Sequence, residues 1–187
     1  MAAGRLRPRR WSRDQLANLA CVAFALVLAW ALKAFYSRAS CEDLSWVLSP
    51  TRRLVAWLTG DGFEPEAGQG YLSRDRHYLI APACAGVNFM IVAFVSVACG
   101  LVHTRSTFRG RGMLLVTSAL AAYGVTLLAN ATRITIAIRL HDAGAAWGPL
   151  TAERLHCAAG VAVYVLFLYA LFAIAARLAG VRCELIP

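Results

Sequence analysis

Three polar side chains interrupt otherwise apolar stretches of this sequence: Cys84 in "APACAGVNFM", Arg133 in "NATRITIAIR" and His156 in "ERLHCAAG". A cysteine and a histidine together can supply a nucleophile and a general acid or base, and an arginine can stabilise a thiolate or an oxyanion. Such partners are neighbours in space and not in sequence. The three residues therefore predict a cysteine-based catalytic site, if the fold brings them to one place.

Cys84 stands where an apolar helix is expected to begin. Pro82 suits the first turn of a helix, where its missing N–H is not needed, and this places Cys84 in that turn. Free backbone N–H groups and the positive end of the helix dipole stabilise a thiolate there. Gly86 favours close packing, and Asn88, four residues after Cys84, could bond to another helix or contact substrate.

Arg133 and His156 stand in two later apolar stretches. An arginine within an apolar run is costly in a membrane, and by default it is a functional candidate that faces the interior of the bundle. Asn130 is three residues before Arg133 and shares its helix face. His156 opens its stretch, and Gly160, four residues later, leaves room for close helix approach.

The elements that must position these residues are membrane helices. The chain has 187 residues, of which 59% are hydrophobic and 16% charged, which is unusual for a soluble domain. Stretches long enough to cross a bilayer cover residues 16–36, 83–102, 113–138 and 156–176. The predicted fold is an all-α polytopic membrane helical bundle with about four transmembrane helices plus an interfacial or periplasmic helix.

The distribution of arginine predicts the orientation of these spans. The segment "RLRPRRWSRD" holds five arginines and one aspartate, and "HTRSTFRGRG" holds three arginines and no acid, as cytoplasmic segments do. The net charge of +9 is thus a topology signal, and no nucleic-acid partner is expected. Both termini are predicted in the cytoplasm, with Cys84, Arg133 and His156 together at the periplasmic end of the bundle.

The predicted organisation has five parts. They are a basic cytoplasmic N-terminus (1–15), a transmembrane anchor (16–36), a periplasmic segment with an interfacial helix (37–80), a catalytic core of three spans (81–179) and a cytoplasmic tail (180–187). Residues 44–60 are apolar in two halves separated by Pro50, Arg52 and Arg53. We expect them to lie in the interface or to dock on the bundle, with Trp46 and Trp57 at headgroup level.

Each candidate residue also has a structural explanation. Cys84 could be a small core residue, Arg133 could extend to the membrane boundary, and His156 could cap a helix. A disulfide of Cys157 with Cys84 or with Cys41 is a further alternative on the oxidising side of the membrane. His77, His103 and His141 have no cysteine or carboxylate partners at metal-ligand spacing, so we expect no metal and no other cofactor.

The order of the three motifs resembles that of the exosortase/archaeosortase family. "ACAGVNF", "NATRI" and "HCAAG" match that family's Cys in a C-small-G context, its N-x-x-R and its later His, over about residues 81–169. The resemblance implies Cys84 as nucleophile, Arg133 as the transition-state group and His156 as acid/base. Asn88, Asn130 and Gly86 are expected to bind substrate or support these residues.

The resemblance also implies a function. It is that of a multi-pass enzyme of the bacterial inner membrane, a cysteine protease or transpeptidase whose partners are the lipid bilayer and membrane-anchored proteins. The substrates would carry a C-terminal sorting signal made of a motif, a transmembrane helix and a basic tail. The chain is shorter than many members and is similar to the small exosortases, among them the K-type subgroup.

Two other classes of function remain open from sequence. One is a thiol-dependent acyltransferase that acts on lipid. The other is a non-enzymatic membrane scaffold or transporter subunit that uses Arg133 and His156 as a relay. A relay predicts polar residues that continue toward the cytoplasm, whereas the inner halves of the spans are expected to be almost wholly apolar.

Overall fold

Five α-helices form the frame of the protein. The computed structural model describes residues 11–74, 78–143 and 152–181, without the side chains of residues 152, 153 and 156. The helices are α1 (Arg13–Tyr36), α2 (Ser45–Thr59), α3 (Val87–Leu101), α4 (Phe108–Asp142) and α5 (Ala152–Leu178). Most of the predicted basic N-terminus and cytoplasmic tail, including residues 1–10 and 182–187, lies outside the described residues.

The predicted membrane-helix bundle is confirmed. Four segments are long and apolar enough to cross a membrane: Arg13–Tyr36, Pro82–Thr104, Phe108–Asp142 and Cys157–Leu178. The third is longer than the sequence pattern indicated, because α4 begins after the N-cap Thr107 and has 35 residues. At 1.5 Å per residue it measures about 52 Å, so it extends well beyond the roughly 30 Å hydrocarbon core of a bilayer.

The α3 span lies at the centre of the bundle. In its most apolar window 56% of the residues are buried inside the protein, compared with 11% for α1 and for α5. Gly100 permits close approach to α5, since a Cβ at that position would lie 2.7 Å from a ring carbon of Phe172. The central position of α3 means that its N-terminal end, next to Cys84, is surrounded by other helices.

Helix α2 packs lengthwise along the second half of α4. The ring of Trp46, at its start, stacks on that of Tyr123 with centroids 5.8 Å apart, and Thr59, at its end, shares a small cavity with Arg139 of α4. The expectation of a docked helix is confirmed. Trp46 and Trp57 are separated by about 16 Å along this axis, and their placement at headgroup level stays a prediction.

A small antiparallel sheet, which the sequence reading did not predict, connects α2 to α3. Its strands are β1 (Glu64–Glu66), β2 (Gly70–Ser73) and β3 (Tyr78–Ile80), in the order β1-β2-β3. Gly70 has φ +136°, and a Cβ there would lie 2.1 Å from the carbonyl oxygen of Ile80, so this pairing requires glycine. Strand β3 leads directly into the turn that holds Cys84.

Helix α4 contains three buried polar residues in the part before Asn130. They are Arg111, Ser118 and Thr126. The hydroxyl of Thr126 donates back to the carbonyl of Ala122 at 2.6 Å, which satisfies it within the helix. About 12 Å of helix separates Ser118 from Thr126, so these hydroxyls do not form a continuous polar path.

Candidate active site

A turn of 3-10 helix, Pro82–Cys84, holds the candidate nucleophile. The α-helix begins three residues later, at Val87, so the prediction that Cys84 lies inside its first turn is wrong. The reason is Gly86, the N-cap of α3, whose φ of +70° is not compatible with a continuous right-handed helix. The N–H of Cys84 is not free either, because it donates to the carbonyl of Ala81 at 2.8 Å.

Asn130 of α4 fixes the peptide group that follows Cys84. Its side-chain nitrogen donates to the carbonyl oxygen of Cys84, and the residue is completely buried. Gly86 fits closely against it, since a Cβ on Gly86 would lie 3.2 Å from Cγ of Asn130 and from Cγ2 of Thr126. The turn that carries the thiol is therefore held in place by α4.

Tyr164 of α5 joins three helices at this point. Its hydroxyl donates to Oδ1 of Asn130 at 3.0 Å, and its ring stacks on that of Phe89 in α3 with centroids 4.6 Å apart. The guanidinium carbon of Arg133 lies 5.5 Å from the centre of the same ring, within the range of a cation–π contact. Tyr164 thus contacts both Asn130, which holds the turn of Cys84, and Arg133 itself.

Arg133 is half-buried and incompletely paired. Its Nε atom is buried and has no hydrogen-bond partner among the described residues. Gly160 of α5 makes room for its stem, since a Cβ at position 160 would lie 3.2 Å from Cδ of Arg133. A buried donor without a partner is costly in a folded protein, which makes Arg133 available to a ligand that can accept a hydrogen bond.

These residues surround a cavity of about 140 Å³. Among the described residues, its lining contains one arginine and no carboxylate, and consists of Tyr36, Ala83, Gly86, Val87, Asn88, Phe89, Arg133 and Tyr164. Cys84 is not itself a lining residue, but its chain neighbours Ala83 and Gly86 are. The cavity provides a small, positively charged space next to the turn of the candidate nucleophile.

Helix α1 contributes to this cavity and is more than an anchor. Nζ of Lys33 donates to Oδ1 of Asn88 at 2.7 Å, and the hydroxyl of Tyr36 lies 3.5 Å from the carbonyl oxygen of Pro82. Asn88 is exposed at the cavity. Its side chain therefore connects α1 to α3, whereas the sequence left open whether it bonds to another helix or to substrate.

Tyr78, at the start of β3, belongs to the same electrostatic environment. Burial raises the pKa of Tyr78 above its usual value, a charged Cys84 acts in the same direction, and the positive charge of Arg133 opposes both. Both candidate residues are thus close enough to Tyr78 to influence its ionisation. At neutral pH Tyr78 is a neutral hydroxyl near the thiol.

The backbone of His156 lies in α5, four residues before Gly160. Residues four apart share one face of a helix, and Gly160 is in contact with Arg133. Position 156 is therefore on the face of α5 that is directed toward α4. The side chain of His156, and with it the predicted acid/base, lies outside the described residues.

The thiols give no support to the disulfide alternatives. Cys21, Cys41, Cys84, Cys99 and Cys157 are all free in the structure, and Cys157 is exposed. Among the described residues, no group of three or more potential ligands could hold a metal ion. The structure thus presents Cys84 as a half-buried free thiol.

Sequence reasoning missed four residues around the cavity: Lys33, Tyr36, Tyr78 and Tyr164. Two of them had a recognisable signal. Lys33 is the only lysine of the sequence and lies in an apolar span, and Tyr164 continues the four-residue spacing of His156 and Gly160. The other two approach the site through α1 and the sheet, and no local pattern indicates those contacts.

A comparison of the chain with protein-family models, with curated proteins and with solved structures gives no match.

Proposed function

We propose that this protein is a membrane-embedded cysteine peptidase or transpeptidase of the exosortase type. Its substrates would be membrane-anchored proteins with a C-terminal sorting signal, cleaved at the periplasmic face of a bacterial inner membrane. The observation that carries the proposal is the meeting of three core helices at one small cavity. There the turn of Cys84, the guanidinium of Arg133 and the face of α5 that contains His156 lie side by side.

The proposed reaction begins at the thiol. His156 takes the proton of Cys84, and the thiolate attacks the scissile carbonyl carbon to form a C–S bond. The tetrahedral intermediate collapses, the C–N bond breaks, and His156 returns the proton to the leaving amine. The resulting thioester is then attacked by water or by a second amine, which gives hydrolysis or transpeptidation and restores the thiol.

Arg133 and the start of α3 would stabilise the oxyanion of that intermediate. The first N–H groups of an α-helix have no partner within the helix, and Val87 and Asn88 at the start of α3 line the cavity. The Nε of Arg133, which has no hydrogen-bond partner among the described residues, adds a charged donor at the cavity. Fixed donors of this kind are effective because they need no reorganisation during the reaction.

The proposed location follows from the charge pattern of the sequence together with the helices. With the arginine-rich N-terminus and α3–α4 connection in the cytoplasm, the cavity lies at the opposite, periplasmic end of the four spans. A substrate helix could approach this end laterally from the bilayer. Its scissile bond would then lie just outside the membrane, level with Cys84.

The proposal is tested by replacing the nucleophile without changing its volume. The full-length protein is expressed in membranes with reporter proteins that end in the motif, helix and basic tail segments encoded in the same genome. Cys84→Ser should reduce reporter cleavage by more than about 1,000-fold, as the loss of a catalytic nucleophile does. Cys157→Ser, which changes an exposed thiol on α5, is the matched control and should remain active.

Mass spectrometry of the trapped enzyme gives a second measurement. We expect an acyl group on Cys84 that hydroxylamine removes, as it removes thioesters. Full cleavage by Cys84→Ser would contradict the peptidase proposal and favour a scaffold or transporter subunit that uses Arg133 and His156. An acyl group that derives from lipid would instead indicate an acyltransferase.

A further inference from the structure

The site contains a residue that no sequence motif assigned. This residue is Tyr164, whose hydroxyl contacts Asn130 and whose ring contacts Arg133, both in α4. The contacts form a chain from α5 to the nucleophile. The hydroxyl of Tyr164 donates to Asn130, and the amide of Asn130 donates to the carbonyl of Cys84.

This chain of bonds fixes the orientation of a buried amide. The carbonyl of Cys84 can only accept, so Asn130 must direct its nitrogen there and its oxygen toward Tyr164. Asn130 is completely buried, and without the hydroxyl its oxygen would lose its only partner among the described residues. The hydroxyl of Tyr164 therefore selects the orientation of Asn130 that holds the peptide group after Cys84.

The ring of Tyr164 has a separate task. It is stacked on Phe89 with an interplanar angle of 13°, which fixes its plane relative to α3. The guanidinium carbon of Arg133 lies 5.5 Å from the centre of the same ring. A rigid ring at this place limits the positions that Arg133 can take. The hydroxyl thus acts on the turn of Cys84, and the ring acts on Arg133.

We propose that Tyr164 is a positioning residue that holds Cys84, through Asn130, and Arg133 in their relative reactive geometry. In this role it acts through these two residues. The proposal rests on the proposed function for its consequence in catalysis. Its structural part, the restraint on the turn Pro82–Cys84, is independent of any substrate.

The restraint is measured by hydrogen–deuterium exchange in the membrane-reconstituted full-length protein. The amides of Cys84 and Ala85 donate to Ala81 and Pro82, so they report opening of the turn. Tyr164→Phe removes only the hydroxyl and should increase their exchange by about fivefold, the effect of one hydrogen bond. Tyr169→Phe, at an exposed position on α5, is the matched control and should leave exchange unchanged.

A double-mutant cycle separates positioning from general loosening of α5. If the hydroxyl acts through the amide, Asn130→Ala should increase exchange of the turn by itself, and Tyr164→Phe should then add nothing. Additive effects, or faster exchange throughout α5 in Tyr164→Phe, would indicate a merely structural role. Unchanged exchange at Cys84 and Ala85 in Tyr164→Phe would also overturn the proposal.

Reporter cleavage distinguishes this proposal from the proposed function. Tyr164→Phe should lower kcat by about tenfold with little change in KM, and Tyr164→Leu, which also loses the ring, should lower it further. If Cys84→Ser still cleaves the reporter while Tyr164→Phe opens the turn, the peptidase proposal fails and the restraint stands. If Cys84→Ser is inactive while Tyr164→Phe matches wild type in exchange and cleavage, the positioning role fails and the peptidase proposal stands.

Discussion

Helix α4 carries two buried or half-buried arginines near its opposite ends, and their surroundings differ. Arg111 donates to Asn18 at 2.8 Å, to the carbonyl of Ser106 at 3.2 Å and to Asp14 at 3.1 Å. Its side chain is only 9% exposed. Arg133, about 33 Å further along the helix, has a buried Nε without a partner among the described residues and lies beside a cavity.

The difference shows how one residue type serves two purposes in the same helix. The bonds of Arg111 join α4 to α1 and to the α3–α4 connection, so its donors are occupied and its charge is balanced by Asp14. The guanidinium of Arg133 lies over the ring of Tyr164, and its stem passes close to Gly160. Neither contact provides a hydrogen-bond partner for Nε. The first arrangement stabilises the fold, and the second is typical of a group prepared for a ligand.

Replacement of each arginine by a neutral residue of similar length should have the largest effects, and the effects should differ between the two positions. Arg133→Gln should reduce reporter cleavage by more than about 100-fold, because it removes the charge that we propose stabilises the oxyanion, while thermal unfolding changes little. Arg111→Gln should lower the free energy of unfolding by about 2 kcal/mol through its lost hydrogen bonds. Its cleavage rate per folded molecule should stay near wild type.

Both quantities are measured on the same membrane preparations, cleavage by gel shift of the reporter and unfolding by a thermal melt. The comparison would be refuted by the reverse result, in which Arg111→Gln abolishes cleavage without loss of stability. Equal loss of stability in the two variants would also refute it, since it would make Arg133 a second structural arginine.

Gly160 tests how closely the position of Arg133 is controlled. A Cβ at position 160 would lie 3.2 Å from Cδ of Arg133, so Gly160→Ala should displace the arginine stem by a few tenths of an ångström. We expect cleavage to fall by about tenfold, because small displacements of catalytic groups are costly. Gly124→Ala, in α4, adds a methyl group where no atom lies within 4 Å and serves as control.

Replacement of glycine by alanine within a helix is itself stabilising. Gly124→Ala therefore shows what this change in helix stability does to cleavage without a displacement of Arg133. Both alanine variants should unfold at or above the temperature of wild type. If Gly124→Ala reduces cleavage as much as Gly160→Ala, the effect belongs to helix rigidity and not to the position of Arg133.

The helices could be predicted from the sequence because their signals are local. Apolar runs and basic flanks act within one element, and they indicated the four spans and an interfacial or docked segment at residues 44–60. Cys84, Arg133 and Asn130 were found because polar residues in apolar runs are conspicuous.

The parts that were missed depend on contacts between distant elements. The sheet includes a close approach of Gly70 to the carbonyl of Ile80. The placement of Cys84 before α3 follows from the backbone of Gly86, where sequence alone suggested packing. The bonds of Arg111 were not predicted, because its partners, Asp14 and Asn18, belong to another helix. Tyr164 resembles any other aromatic residue of an apolar span until its neighbours are known.

A smaller effect is expected on the pKa of Tyr78, which the charge of Arg133 influences and that of Arg111 does not. Burial raises the pKa of Tyr78, and the charge of Arg133 partly opposes this rise. Arg133→Gln should therefore raise the pKa of Tyr78 further. Arg111→Gln should leave the pKa of Tyr78 unchanged. Arg111 lies about 33 Å along α4 from Arg133, much more than the roughly 8–10 Å screening length of physiological salt.

The same shift predicts how stability depends on pH. A tyrosine whose pKa is raised in the folded state holds its proton more strongly when folded, so its contribution is complete below the ordinary value of about 10. That contribution is lost as pH rises through the folded pKa. Tyr78→Phe removes this pH-dependent contribution. The melting temperature of the variant should therefore fall less than that of wild type above about pH 10. Phenolate absorbance of wild type minus Tyr78→Phe measures the titration, and a curve that shifts equally in both arginine variants would contradict the proximity of Arg133 to Tyr78.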